Sequence, residues 1–163
     1  MADPSIEHRA AQAYVGIRTR ATLKEWSRVN ALVGDIFGWL EEHRVRPAGP
    51  PFYRYRTVGD ERVPFDVEVG VPVDGAPDAE PPVRAGTIPE ASYVRMLHHG
   101  HPDRLEELHD AIRMWAAREG IRLKRAREGE QDVWAGLYEF YLTDPADEPD
   151  LNEWMTEVLY QVA

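Results

Sequence analysis

Glu139 is the residue whose surroundings pose a chemical question. It stands in Leu137-Tyr138-Glu139-Phe140-Tyr141-Leu142, where every neighbour is apolar or aromatic. A strand of that composition is covered on both faces. A carboxylate in such a strand is costly to bury unless it is paired or hydrogen-bonded. Two readings follow: an internal hydrogen bond or arginine partner satisfies Glu139, or it waits for a cation or a ligand donor. Glu157 is the second candidate carboxylate. Alternation along the last strand groups Met155, Glu157 and Leu159 on one side and Thr156, Val158 and Tyr160 on the other. If the two strands pair, both carboxylates share one region and could divide the roles of acid and base. Parity alone leaves open which side is inner.

The chain carries five Trp and seven Tyr. Trp39, Tyr55, Tyr93, Trp134 and Tyr141 are the rings expected to face a groove, whereas Trp26 and Trp115 read as core. An aromatic wall beside a carboxylate suits flat cations, each desolvated cation–π contact contributing about 2 kcal/mol. Were the chain an enzyme, water would be the nucleophile, Glu139 or Glu157 would activate it, and Tyr141 would supply a proton. Ser5, Ser27 and Ser92 have no triad-like context, and no phosphate loop, nucleophile elbow or dinucleotide fingerprint occurs. His98, His99, His101 and His109 read as turn and surface histidines rather than metal ligands, so neither a metal nor a cofactor is expected.

Elements must hold these residues in place. Ala13–Arg20 alternates as a strand, and Thr22-Leu-Lys-Glu25 is a capping box that opens a helix with the stripe Trp26, Val29, Val33, Ile36, Phe37 and Leu40. Prolines from Pro47 to Pro51 end that stretch. Phe52–Thr57 and Val63–Val71 form a hairpin, and Pro72–Pro82 is a loop. Val83–Ile88 and Ala91–His98 are strands. Gly100-His-Pro-Asp103 opens a second helix with the stripe Leu105, Leu108, Ile112 and Trp115, closed by Gly120. Asp132–Thr143 and Glu153–Val162 are the last strands. The order strand, helix, strand, strand thus occurs twice, in halves of about 11–72 and 83–163. The strands follow each helix too closely for a parallel βαβ sheet. The expected fold is α+β: a single domain of two tandem modules, with one mainly antiparallel curved sheet and two long helices on one face. The groove between the helices is the expected ligand site.

Composition narrows the function classes. Nineteen Lys+Arg against twenty-nine Asp+Glu give a formal charge of −10 in 163 residues. That field opposes nucleic-acid phosphates, and Arg122-Leu-Lys-Arg-Ala-Arg127 is the one basic patch set against it. Without cysteine there is no disulfide, thiolate metal site or cysteine nucleophile. Neither a signal peptide nor a spanning segment is seen, so the chain reads as cytoplasmic, binding neither membrane nor nucleic acid. The sequence leaves monomer and homodimer open.

Ala48-Gly-Pro-Pro-Phe-Tyr-Arg-Tyr55, Phe65-Asp-Val-Glu-Val-Gly-Val-Pro72, Thr87-Ile-Pro-Glu90, the histidine–glycine turn before the second helix, Tyr138–Pro145 and Trp154–Val158 occur in an order that resembles the GyrI-like, or bacterial transcription-activator effector-binding, family. The resemblance covers nearly the whole chain. It implies two tandem modules, a groove for aromatic or cationic small molecules, and a glutamate at the pocket base corresponding to Glu139. It looks like the stand-alone branch, because too few residues precede Ala13 for a helix-turn-helix. Gly100-His101-Pro102-Asp103 departs from the Gly-Pro-Tyr turn common in the family, so a tyrosine that can face ligand in relatives is missing. The resemblance also implies two alternatives: a hydrolase of strained, cyclopropanoid-type electrophiles that protects the cell, and an inhibitory protein-interaction module, here presenting Asp66, Glu68 and the Pro72–Pro82 loop.

Overall fold

The computed structural model describes residues 3–75 and 77–163; Ala76, within the loop expected over Pro72–Pro82, lies outside the described residues. The chain runs β1 (Ser5–Arg9), β2 (Gln12–Ala21), α1 (Trp26–Glu42), β3 (Phe52–Thr57), β4 (Phe65–Pro72), β5 (Arg84–Ile88), β6 (Ala91–His99), α2 (Leu105–Arg118), β7 (Arg125–Glu128), β8 (Gln131–Trp134), β9 (Leu137–Tyr141) and β10 (Met155–Gln161). Eight strands form one antiparallel sheet in the order β1-β6-β10-β9-β3-β4-β2-β5. The two modules meet where β9 pairs β3, with Tyr53 opposite Glu139 and Phe52 opposite Phe140.

Alternation sends the two sides of this sheet into different clusters. Val15, Ile17, Tyr53, Tyr55, Val67, Val69, Val71, Val94, Met96, Leu137, Val158 and Tyr160 pack with Val29, Ile36 and Leu40 of α1 and Leu105, Leu108 and Ile112 of α2. Both helices therefore lie on one face, as the alternation and stripes predict. The other face carries its own cluster of Tyr14, Phe52, Ile88, Tyr93, Tyr138, Phe140 and Leu159. Gly120 ends α2 at φ +70°, a left-handed conformation that glycine adopts without strain.

Several expectations change. β1 was not anticipated: Ser-Ile-Glu-His-Arg is short and charged, and it pairs with β6 at the sheet edge, where such residues suit a strand with one free side. The long strand expected over Asp132–Thr143 is two strands. β8 leaves the sheet to pair with β7, and only β9 stays, the chain turning at Ala135-Gly136. Phe37 is not core, at 36% exposure, and β4 begins at Phe65 because Val63 is exposed in the turn. Val73, inside the expected loop, and Val83, expected to open a strand that begins at Arg84, are both buried. No helix among the described residues is long and apolar enough to cross a membrane.

Candidate functional site

Glu139 lies at the centre of β9 on the helix-covered face and is 5% exposed. Its Oε1 accepts hydrogen bonds from the hydroxyls of Tyr55 at 2.7 Å and Tyr141 at 2.8 Å. Its Oε2 lies 2.7 Å from Nε2 of His109 on α2. His109 Nδ1 lies 2.7 Å from the Tyr160 hydroxyl, and that oxygen accepts from Arg113 Nη1 at 3.0 Å. Arginine only donates, so the Tyr160 oxygen accepts from Arg113; it keeps a second acceptor site and its own proton, so it can serve Nδ1 in either role. The network closes with His109 in either protonation state: neutral, it accepts from the Tyr160 hydroxyl and donates Nε2–H to Glu139; protonated, it is the counter-ion of Glu139. Three donors occupy a carboxylate that has about four acceptor sites.

Rings surround the carboxylate. Trp26, at the start of α1, stacks on Tyr55 with centroids 6.2 Å apart and planes at 9°. Tyr53 meets Tyr141 at 5.2 Å, and its hydroxyl donates to Asn30 Oδ1 of α1 at 2.6 Å. Trp26 and Tyr141 are partly exposed and pack against the core on the helix-covered face.

Electrostatics set the chemistry available. Burial pushes the Glu139 carboxyl up, but the hydrogen bond and charge interaction with His109, then the two tyrosine hydroxyls, outweigh it and hold the group below its ordinary value of 4.5. Burial first, and the Glu139 charge next, push the Tyr55 and Tyr141 hydroxyls well above 10. At neutral pH the site is therefore an ionised carboxylate facing phenols that keep their protons.

The expected site residues divide into two sets. Tyr55, Glu139 and Tyr141 come together. Glu157 does not join them. Val158, not Glu157, lies opposite Glu139 in the register, so Glu157 points to the other face. There Arg9 Nη2 at 2.8 Å and Arg95 Nε at 2.5 Å hold it. The shared acid–base pair expected for Glu139 and Glu157 is not formed. Tyr93 is on that second face too, its hydroxyl donating to the Pro89 carbonyl at 2.7 Å. Trp39 stacks on His43 at the far end of α1, about 20 Å along the helix axis from Trp26. Trp134 meets the edge of Tyr160 at 5.2 Å, behind the His109 chain rather than in the ring around Glu139. Asp66 and Glu68, expected to present an acidic face, are taken up internally. Arg18 clasps Asp66 with two hydrogen bonds at 2.9 and 2.6 Å, and the Tyr14 hydroxyl donates to Glu68 at 2.6 Å.

Trp26, Tyr53, His109, Arg113 and Tyr160 were not among the expected site residues. His109 and Arg113 are one turn apart beside the buried stripe of α2, and that spacing was a usable signal. Tyr160 shares parity with Val158, so it became assignable only once the β9–β10 register was known.

The depressed Glu139 and Glu157 carboxyls make stability depend on acid. A carboxyl whose folded value lies below its unfolded one stabilises the fold above the unfolded value and loses that contribution as pH falls through the folded one. Thermal unfolding followed from pH 7 downward is expected to hold its midpoint until about 4.5, then to fall, with a smaller drop in Glu139→Gln. Identical acid profiles for the two proteins would contradict this arrangement.

Comparison with known structures places the chain. No curated protein matches it. The EcmrR–DNA complex in EcmrR-RPo shares its fold with TM-score 0.82 and 18% identity, over 98% of this chain and 57% of that one, so the chain spans little more than half of EcmrR. A hydrolase from Listeria innocua matches at TM-score 0.63 and 13% identity, over 98% of this chain and 91% of that chain. SAV2435 bound to tetraphenylphosphonium matches at TM-score 0.59 and 10% identity, over 99% and 94% respectively. At these identities the likeness is one of fold. The sequence itself, over residues 2–163, matches the model of the GyrI-like small molecule binding domain, and the chain belongs to that family.

Proposed function

We propose that the chain binds aromatic cations in the groove over Glu139. One observation carries this reading: an ionised carboxylate, 5% exposed, has the hydroxyls of Tyr55 and Tyr141 and the His109 ring as partners, no arginine or lysine, and is ringed by Trp26, Tyr53, Tyr55 and Tyr141. A ligand cation gains Coulomb attraction to that carboxylate in a water-poor setting, and the rings add cation–π attraction. SAV2435, similar in fold, is bound to tetraphenylphosphonium, which makes that ion a suitable probe. Titrating tetraphenylphosphonium into the protein is expected to quench tryptophan fluorescence saturably. Trp26→Phe should remove most of the quenching while calorimetry still detects binding. Absence of saturable binding to the parent protein would overturn the reading.

A hydrolytic reading uses the same residues, with the Glu139–His109 pair activating water for attack on a strained electrophile. The 2.7 Å contact between the two side chains favours it, as does the likeness to a Listeria innocua protein described as a hydrolase. Against it stands the depressed Glu139 carboxyl, since a base is most effective when its pKa lies near the working pH. Binding without turnover fits that carboxyl better. Mass spectrometry after incubation with an aryl cyclopropane or epoxide should find no product heavier by one water.

A further inference from the structure

The sheet face turned away from the helices holds a cleft of about 150 Å³, lined by Tyr14, Arg18, Arg54, Arg56, Arg84 and the carboxylates of Asp66 and Glu68. Four arginines against two carboxylates leave this spot two charges positive in a chain of net charge −10. The carboxylates do not exhaust the guanidinium groups. Arg18 is committed to Asp66. Arg54 reaches Glu68 only at 3.8 Å and donates one Nη2 hydrogen bond to the Ala135 carbonyl at 2.9 Å, while its Nε is buried without a hydrogen-bond partner among the described residues. Arg56 and Arg84 have no ion pair or side-chain hydrogen bond among the described residues, and both border the same cleft. An orphaned buried N–H is costly and uncommon in a finished fold. Guanidinium forks match the paired oxygens of carboxylate and phosphate groups.

We propose that this cleft is a second ligand site, taking a small dianion that carries carboxylate or phosphate oxygens, on the opposite side of the sheet from Glu139. The two excess positive charges match a dianion. Arg56 and Arg84 supply its forks, and Arg54 Nε–H supplies the buried donor. Asp66 and Glu68 hold Arg18 and Tyr14 in place and repel anions that cannot engage the free arginines. The two sites take ligands of opposite charge and share no lining residue, so occupancy of one does not require the other.

Calorimetry at low ionic strength, with inorganic phosphate in one arm and malonate in the other, tests the assignment. Saturable binding of either is expected: phosphate alone would identify a tetrahedral oxyanion site, malonate alone a dicarboxylate site, and both a general dianion site. The double variant Arg56→Gln/Arg84→Gln, in exposed or half-exposed positions, is expected to bind at least about 10-fold more weakly. Arg54→Lys keeps the charge but deletes the Nε–H, and should weaken binding to a lesser degree. Tetraphenylphosphonium titration of the same variants reports whether they remain folded and should be unchanged. Failure of both anions to bind the parent protein, or equal binding by the double variant, would overturn the proposal.

Discussion

Glu139→Gln is expected to lower the affinity for an aromatic cation by about 100-fold, equivalent to ~2.7 kcal/mol. Glutamine keeps the volume and one carbonyl acceptor but removes the charge. The lost attraction acts in a water-poor setting, where hydrogen bonds to charged groups contribute about 1.5–3 kcal/mol each. No arginine or lysine touches the carboxylate, and His109 is its one basic partner. In a pre-formed ion pair, the same substitution would leave an unpaired cation and mix a stability loss into the affinity. Here the partners are Tyr55, Tyr141 and His109, so urea unfolding of Glu139→Gln, measured beside its affinity, separates a stability loss from a binding loss. Calorimetric titration of parent and variant measures the difference. Glu157→Gln is the control: its carboxylate lies on the other face with Arg9 and Arg95, so cation affinity should stay within about 2-fold of the parent.

Phe52→Ala is expected to destabilise the fold by about 3–5 kcal/mol in urea unfolding. Phe52 is fully buried where the two modules join, with ring centroids 5.1 Å from Tyr14, 5.7 Å from Tyr138 and 5.2 Å from Phe140. Its ring lies directly over Gly70, the residue opposite it on β4. A Cβ on Gly70 would lie 2.5 Å from Phe52 Cζ, in a ring already packed against Tyr14, Tyr138 and Phe140. Gly70→Ala should therefore cost about 1–3 kcal/mol by overpacking. Combined with Phe52→Leu, which shortens the side chain, it should cost less than the sum of the two single changes. Strict additivity would show that the two residues are not in contact.

Much of this architecture is written in local pattern. The stripes of Val29, Ile36 and Leu40 and of Leu105, Leu108 and Ile112 fix the helix faces, and Phe65–Val71 alternates clearly enough to assign both sides of β4. Glu139 stands out because a carboxylate among Tyr138, Phe140 and Tyr141 has few ways to be tolerated. What local pattern does not hold is register across distant strands. The opposition of Val158 to Glu139 separates Glu157 from the site, and a slip of one residue would have reversed that result. His109 illustrates a second limit. A polar residue flanking a helix stripe reads as surface until the helix is docked against the strand that carries its partner. Trp39 shows a third, since leaving the main stripe places a side chain beside the groove only at the right height along the helix.

The position of a bound aromatic cation tests the central claim most directly. A crystal structure of the protein with tetraphenylphosphonium is predicted to place the phosphonium on the helix-covered face, within about 6 Å of the Tyr55 or Tyr141 ring and beside the Glu139 carboxylate. A cation found away from Glu139, with the Tyr55, Tyr141 and His109 hydrogen bonds undisturbed and no aromatic face toward it, would contradict the account.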